Sequence, residues 1–265
     1  MTDRTMTLGI IGHGMLGKPI AQAWLDRGIA SNETLWIANR RGGGNAQAPH
    51  SAVRFTTHIQ ELADACDIIL LCVPPANAPS LNFTAPDKLV VSVMAGVSVD
   101  CLVHLAHTER VVRAMTSPAA VKSLAYSPWY CTNSVSDSDR HSVKRLFDAC
   151  GAHDEVHDES QLDLFTALTG PVPGFVAYFA HCMIRHAVEQ GVPPRVADRA
   201  VRQLFLGSGV LMASADESPK ALVQEMIDYA GTTAAGLLTL DHTEFAKTLS
   251  EGLDAATQAA REIAS

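Results

Sequence analysis

The run Met6-Thr7-Leu8-Gly9-Ile10-Ile11-Gly12-His13-Gly14-Met15-Leu16-Gly17 decides the fold. Its first half is short and apolar, the pattern of a buried strand. Its second half carries the G-x-G-x-x-G spacing and opens a helical pattern (Ile20, Ala21, Ala23, Trp24, Leu25) that stops at Gly28. A second apolar run, Thr34-Leu35-Trp36-Ile37-Ala38, follows, so the glycines lie inside a strand–helix–strand unit. In such a unit the first glycine permits the tight turn, the second lets a pyrophosphate approach the backbone, and the third lets helix and strand pack closely. The free N–H groups of the first helical turn then hold the phosphates. The loop Gly12, His13, Gly14, Met15, Leu16, Gly17 is therefore expected to bind a dinucleotide; a glycine turn without a ligand is the alternative.

The end of the second strand says which dinucleotide. A site for NAD places Asp or Glu there, against the ribose 2′-hydroxyl. This chain has Asn39-Arg40-Arg41 and then Gly42-Gly43-Gly44. No carboxylate opposes a 2′-phosphate, and two guanidiniums can pair with one, so NADP(H) is the expected cofactor.

The chain has 265 residues, enough for one large core or two modest ones. A net charge of −8 without a long basic run argues against nucleic acid as a partner. No apolar run approaches the roughly 20 residues needed to cross a bilayer. Met1-Thr2-Asp3-Arg4 leads straight into the first strand and leaves no room for a signal peptide, and the six scattered cysteines form no C-x-x-C pair. A cytoplasmic protein with reduced thiols is the expectation. None of the eleven histidines shares H-x-x-x-H spacing with a carboxylate, so no metal site is expected.

Further along, Val53–Thr56, Asp67–Val73, Lys88–Met94 and Val111–Met115 read as strands, Ser123–Trp129 as a seventh, and His58–Ala65 and Asp137–Cys150 as helices. Ala76–Asp87 carries too many breakers for much helix. From Ser160 onward the pattern is helical, punctuated by Gly170–Gly174, Gly191-Val192-Pro193-Pro194, Ser218-Pro219 and Ala230-Gly231. The reading is an α/β fold: a Rossmann-type doubly wound sheet domain over residues 1–159, then an all-α domain over 160–265. That helical half is apolar enough to form a homodimer face.

Several motifs, in order over nearly the whole chain, resemble the pyrroline-5-carboxylate reductase family. They are Gly12-x-Gly14-Met15-x-Gly17, Asn39-Arg40, Val73-Pro74-Pro75, Met94-Ala95-Gly96-Val97-Ser98 and Arg113-Ala114-Met115 with Pro118-Ala119. Leu146-Phe147-x-x-x-Gly151, Asp163-x-x-Thr166-Ala167-Leu168-x-Gly170 and Ala230-Gly231-Thr232-Thr233 with Gly236-Leu237 continue the set. The resemblance implies an NADPH-dependent cyclic-imine reductase whose helical domain forms an intertwined dimer, with the substrate between nicotinamide and the partner's helices. It implies that Val73, Pro74, Ala95 and Gly96 complete the cofactor site. It also implies that Met115, Pro118, Thr169, Gly170, Gly231, Thr232 and Thr233 face the substrate, the Thr232 hydroxyl bonding the imine nitrogen. Helix capping is the plain alternative for the threonines.

The departures fall in the substrate half. The family's V-K-P reads Val73-Pro74-Pro75, its M-P-N-T-P reads Met115-Thr116-Ser117-Pro118, and its S-G-S-G-P-A-Y reads Thr169-Gly170-Pro171-Val172-Pro173-Gly174-Phe175. Its S-P-G-G-T-T, which resembles a cradle for the substrate carboxylate, reads Asp228-Tyr229-Ala230-Gly231-Thr232-Thr233. A carboxylate about 4 Å from another costs roughly 4 kcal/mol at an effective dielectric near 20. Asp228 and Tyr229 are accordingly read as substituted proton donors or ammonium partners, or else as an outward-facing helix end. Three functions remain open: reduction of 1-pyrroline-5-carboxylate to L-proline, reduction of another imine in specialised metabolism, or NADP(H) binding without catalysis. A β-hydroxyacid dehydrogenase, with the same layout, would carry a lysine on the first long helix of the second domain; none lies between Lys144 and Lys220.

Overall fold

A computed structural model describes residues 6–43, 53–170 and 174–263. Gly44 and the Pro171–Pro173 stretch lie outside the described residues. The chain divides into two compact units, Met1–Pro171 with Leu253–Ser265, and Val172–Gly252. Compactness thus carries the first unit past the change in sequence character at Glu159. The reason is α5 (Gln161–Leu168), which packs on the sheet and is tied to it by charge.

In the first unit, eight strands form one sheet in the order β3-β2-β1-β4-β5-β6-β7-β8. The strands are β1 (Leu8–Ile11), β2 (Leu35–Ala38), β3 (Arg54–Thr56), β4 (Ile68–Leu71), β5 (Leu89–Ser92), β6 (Val111–Ala114), β7 (Ala125–Cys131) and β8 (Gly151–Glu155). All neighbours run parallel except β6 and β7. Strand side chains alternate between two cores, as the pleat requires. Leu8, Ile10, Leu70 and Val91 enter the layer that holds α1 (Gly17–Asp26) and α4 (Asp137–Asp148). Ile11, Ile69, Leu71 and Val90 enter the layer under α2 (Ile59–Ala65) and α3 (Val99–Ala106). Trp24 fastens the first layer, its indole N–H donating to the Leu146 carbonyl at 3.0 Å. A short 3₁₀ turn, Pro75–Ser80, replaces the helix between β4 and β5, as the breakers there require. Ala78, Phe83 and Ala85 fill the space instead.

The apolar pattern misses β8. Its side chains, Ala152-His153-Asp154-Glu155, carry no β-branched or aromatic run. Polar partners on β7 hold it at the sheet edge: Tyr126 donates to Asp154 at 2.9 Å and the Cys131 thiol to Glu155 at 3.2 Å. A strand recognised by its neighbour's polar groups has no signature of its own.

The second unit is helical: α6 (Gly174–Glu189), α7 (Pro194–Ser214), α8 (Pro219–Asp228), α9 (Thr232–Asp241) and the start of α10 (Phe245–Glu262). The helices break at the expected glycine and proline positions, with one further break at His242–Glu244. Among its described residues no helix of the chain is long and apolar enough to cross a membrane.

Candidate active site

Gly12 and Gly17 build the turn at the end of β1. Gly12 has φ +104°, and a Cβ there would stand 2.7–2.8 Å from the backbone of Cys72 and Val73. A Cβ on Gly17 would fall 2.0 Å from the Gly12 carbonyl oxygen. Neither position accepts a larger residue without moving the backbone. Gly14 is the opposite case, with nothing within 4 Å of where its Cβ would be. Tight inside and open outside, this geometry fits a pyrophosphate lying on the loop at the helix start. Met15 is 80% exposed, whereas Leu16 packs against the core beside α1. His13 meets the Phe55 ring edge to face at 5.5 Å. Burial, and then the Lys18 ammonium, push its imidazole below the usual histidine range, so it is neutral at neutral pH.

The second loop follows β2 and is bonded to the first: the Gly12 N–H donates to the Ala38 carbonyl at 2.9 Å. Asn39, read from sequence as a cofactor contact, spends its side chain on this loop. Its Oδ1 accepts the N–H groups of Arg41 and Gly42, both at 2.8 Å, and its Nδ2 donates to the Gly43 carbonyl at 3.2 Å. What the asparagine accomplishes here is the shape that presents Arg40 and Arg41. Both arginines are exposed, and among the described residues neither guanidinium has an ion-pair partner.

Val73 and Pro74 follow β4 against the Gly12 turn, and Ala95 and Gly96 follow β5. The expected cofactor residues thus line the carboxyl ends of the consecutive strands β2, β1, β4 and β5, and the order reverses between β1 and β4. That reversal is where open α/β sheets place their ligands. Cys72 is buried beside this edge and burial pushes its thiol far above the usual range, so it is no nucleophile.

The expected substrate residues fall into two groups. In the first unit, Met115 follows β6 and a Cβ on Gly170 would lie 3.1 Å from its Sδ. The structure therefore brings Met115 and Gly170 together. Pro118 opens a 3₁₀ turn two residues beyond Thr116, whose buried hydroxyl accepts from Ser127 at 2.9 Å. The Thr169 hydroxyl is already committed, donating to the Phe165 carbonyl at 3.0 Å.

In the second unit, Asp228, Tyr229, Gly231, Thr232 and Thr233 gather at the α8–α9 junction. Gly231 is the N-cap of α9 and no side chain caps it, so the threonines are the first helical residues and not caps. Their hydroxyls are exposed and have no protein partner among the described residues. Asp228 accepts from Gln224 at 2.8 Å across one helical turn, and Tyr229 is 84% exposed. Ala230 lies in the left-handed region at φ +57°.

Residues 159–263 match a family model described as pyrroline-5-carboxylate reductase dimerisation. Residues 7–96 match one described as NADP oxidoreductase coenzyme F420-dependent. A pyrroline-5-carboxylate reductase of Aquifex aeolicus is 25% identical over 262 residues, 98% of either chain. Over nearly its whole length the chain is similar to pyrroline-5-carboxylate reductases. Solved structures share its fold. The pyrroline carboxylate reductase of Plasmodium falciparum with NADP bound has 23% identity and a TM-score of 0.81, covering 98% of each chain. A pyrroline-5-carboxylate reductase of Coxiella burnetii has 19% identity and a TM-score of 0.86, covering 99% of this chain and 100% of that one.

One of the motif departures read from the sequence falls at the α8–α9 junction. Ala230 occupies a glycine of the family motif and keeps the left-handed backbone that favours glycine there. The loop after β6, Met115-Thr116-Ser117-Pro118, carries no asparagine. The sequence reading named Arg113 without giving it a role: inside the apolar strand Val111–Ala114 and only 4% exposed, it pairs with Glu159 and Asp163. A charge within a buried strand is itself the signal, because such a charge needs partners.

Proposed function

We propose that this protein uses NADPH to reduce a cyclic imine, with 1-pyrroline-5-carboxylate as the default substrate and L-proline as the product. Its class is that of the proteins it resembles, an NADP-dependent oxidoreductase acting on a carbon–nitrogen double bond. The observation that carries the reading is the joined pair of loops after β1 and β2. One is open at Gly14, with room for a pyrophosphate, and the other holds out Arg40 and Arg41, whose guanidiniums suit a 2′-phosphate. Val73, Pro74, Ala95 and Gly96 complete the rim on which the nicotinamide half rests.

When bound, NADPH supplies the hydride that the imine carbon accepts. The protein's part is position and charge. Met115 and Gly170 form one wall against the ring. In the helical unit the free Thr232 hydroxyl is a donor suited to an imine nitrogen, and the N–H groups at the start of α9 suit an anion. The helical unit, matching a dimerisation family, joins two copies as a homodimer.

Asp228 favours a second reading, an imine without the carboxylate. It is an exposed acid at the carboxyl end of α8, just before the α9 N-terminus, and it repels a carboxylated ring.

NADPH oxidation with a panel of cyclic imines, carboxylated and not, separates the two. Turnover of the carboxylated ring supports the first, turnover only of others supports the second, and NADPH binding with no turnover refutes both. Asp228→Ser should lower KM for a carboxylated ring by about tenfold; a raised KM with lower kcat would make Asp228 a working group of the site. Arg40→Ala should weaken NADPH by about tenfold and leave NADH unchanged. Equal losses for both nucleotides would remove the phosphate role.

A further inference from the structure

We propose that Arg113 is a positioning residue that sets the cofactor side and the substrate side of the site in one register. Its guanidinium lies near the end of β6 on the edge that carries the site, with its side chain only 5% exposed. It bridges two carboxylates instead of gripping one: Nη1 donates to Glu159 at 2.9 Å and Nη2 to Asp163 at 2.5 Å.

Each carboxylate is bound to a different wall. The same Glu159 oxygen accepts the Val99 N–H at 2.9 Å, at the first residue of α3. It therefore fixes the point to which the loop Met94–Ser98 returns, and Ala95 and Gly96 lie in that loop. Asp163 stands in the first turn of α5, facing Arg261 of α10 at 4.0 Å, and the carboxyl end of α5 presses Gly170 against Met115. A planar, always charged fork held in a buried strand makes both ties at once from two nitrogens at fixed spacing, which a lysine point charge does not offer. Placement of a ring within an ångström controls hydride transfer, so a fork that couples the two walls acts on rate without touching either ligand.

The inference rests on the assignment of Ala95 and Gly96 to cofactor and of Met115 and Gly170 to substrate. Its test uses the full-length protein with Glu159→Gln, Asp163→Asn and Arg113→Lys. The measurements are NADPH affinity by fluorescence, KM and kcat for the imine the wild type turns over, and amide hydrogen exchange. Glu159→Gln should weaken NADPH by about tenfold with imine KM nearly unchanged, and should speed exchange at Val99. Asp163→Asn should do the reverse, raising imine KM by about tenfold and speeding exchange at 168–170. Arg113→Lys should lower kcat more than either binding constant. Variants that only lose thermal stability, with both constants and the regional exchange pattern as in wild type, overturn the proposal. If wild type neither binds NADPH nor reduces an imine, the functional assignment fails, and exchange alone decides. Separate acceleration at Val99 and at 168–170 upholds the two ties, and unaltered or uniform exchange overturns them.

Discussion

In the sheet unit Trp24 and Trp129 are sealed to 2% exposure or less, and the strands bury side chains in two cores, one on each face of the sheet. In the helical unit Leu206, Val210 and Leu211 of α7 are at least 60% exposed, and α6 and α8 bury none of their described residues. The two regions draw on a similar apolar alphabet. A sheet covered on both faces closes its core within one chain, whereas these helices leave theirs uncovered. An apolar surface of that extent is the mark of an interface, and the dimerisation family model falls on this stretch.

The contrast breaks most readily where the helices are bare. Leu206→Glu with Leu211→Glu should weaken self-association at least hundredfold, since burying two charges costs several kcal/mol. Light scattering after size-exclusion chromatography should then find monomers with the tryptophan near-UV signal of the sheet unit intact. A wild type that is monomeric at micromolar concentration would end the idea that a second copy covers these residues.

Within the sheet unit the comparison sharpens between two glycines three residues apart. Gly17→Ala should cost about 3 kcal/mol of stability, because its Cβ has no place to go. Gly14→Ala should cost under about 0.5 kcal/mol and act instead on NADPH affinity, its Cβ meeting only open space. Denaturant midpoints and a nucleotide titration on both variants would reverse the assignment if the effects were exchanged.

An effect smaller than that of Gly17→Ala is expected in the helical unit. Ala230→Gly should stabilise it by about 1 kcal/mol through relief of the left-handed alanine. An unchanged or lower midpoint would mean that the strain is absent or is compensated.

Much of the fold was legible in short patterns. The Gly12–Gly17 spacing and the continuous apolar strands are local, so they survive being read one segment at a time. β8 was not legible, because its edge position is set by Tyr126 and Cys131 on a neighbouring strand. At the candidate site, Arg40 and Arg41 were legible as a pair of exposed cations, but the role of Asn39 as the brace of their loop needed its three hydrogen bonds. Arg113 was visible as a charge in an apolar run, yet its partners lie 46 and 50 residues away.

The sequence by itself determined the strand–helix–strand unit, the run of helices after it, and the absence of an acid directly after the second strand. These follow from periodicity, turn chemistry and charge, which act between near neighbours. Only the tertiary structure decided which residues are braces and which are free. Asn39, Thr169 and Arg113 are consumed by the protein's own bonds, whereas Gly14, Thr232 and Thr233 are left open to a ligand. A polar group's availability depends on what the folded chain has already placed beside it.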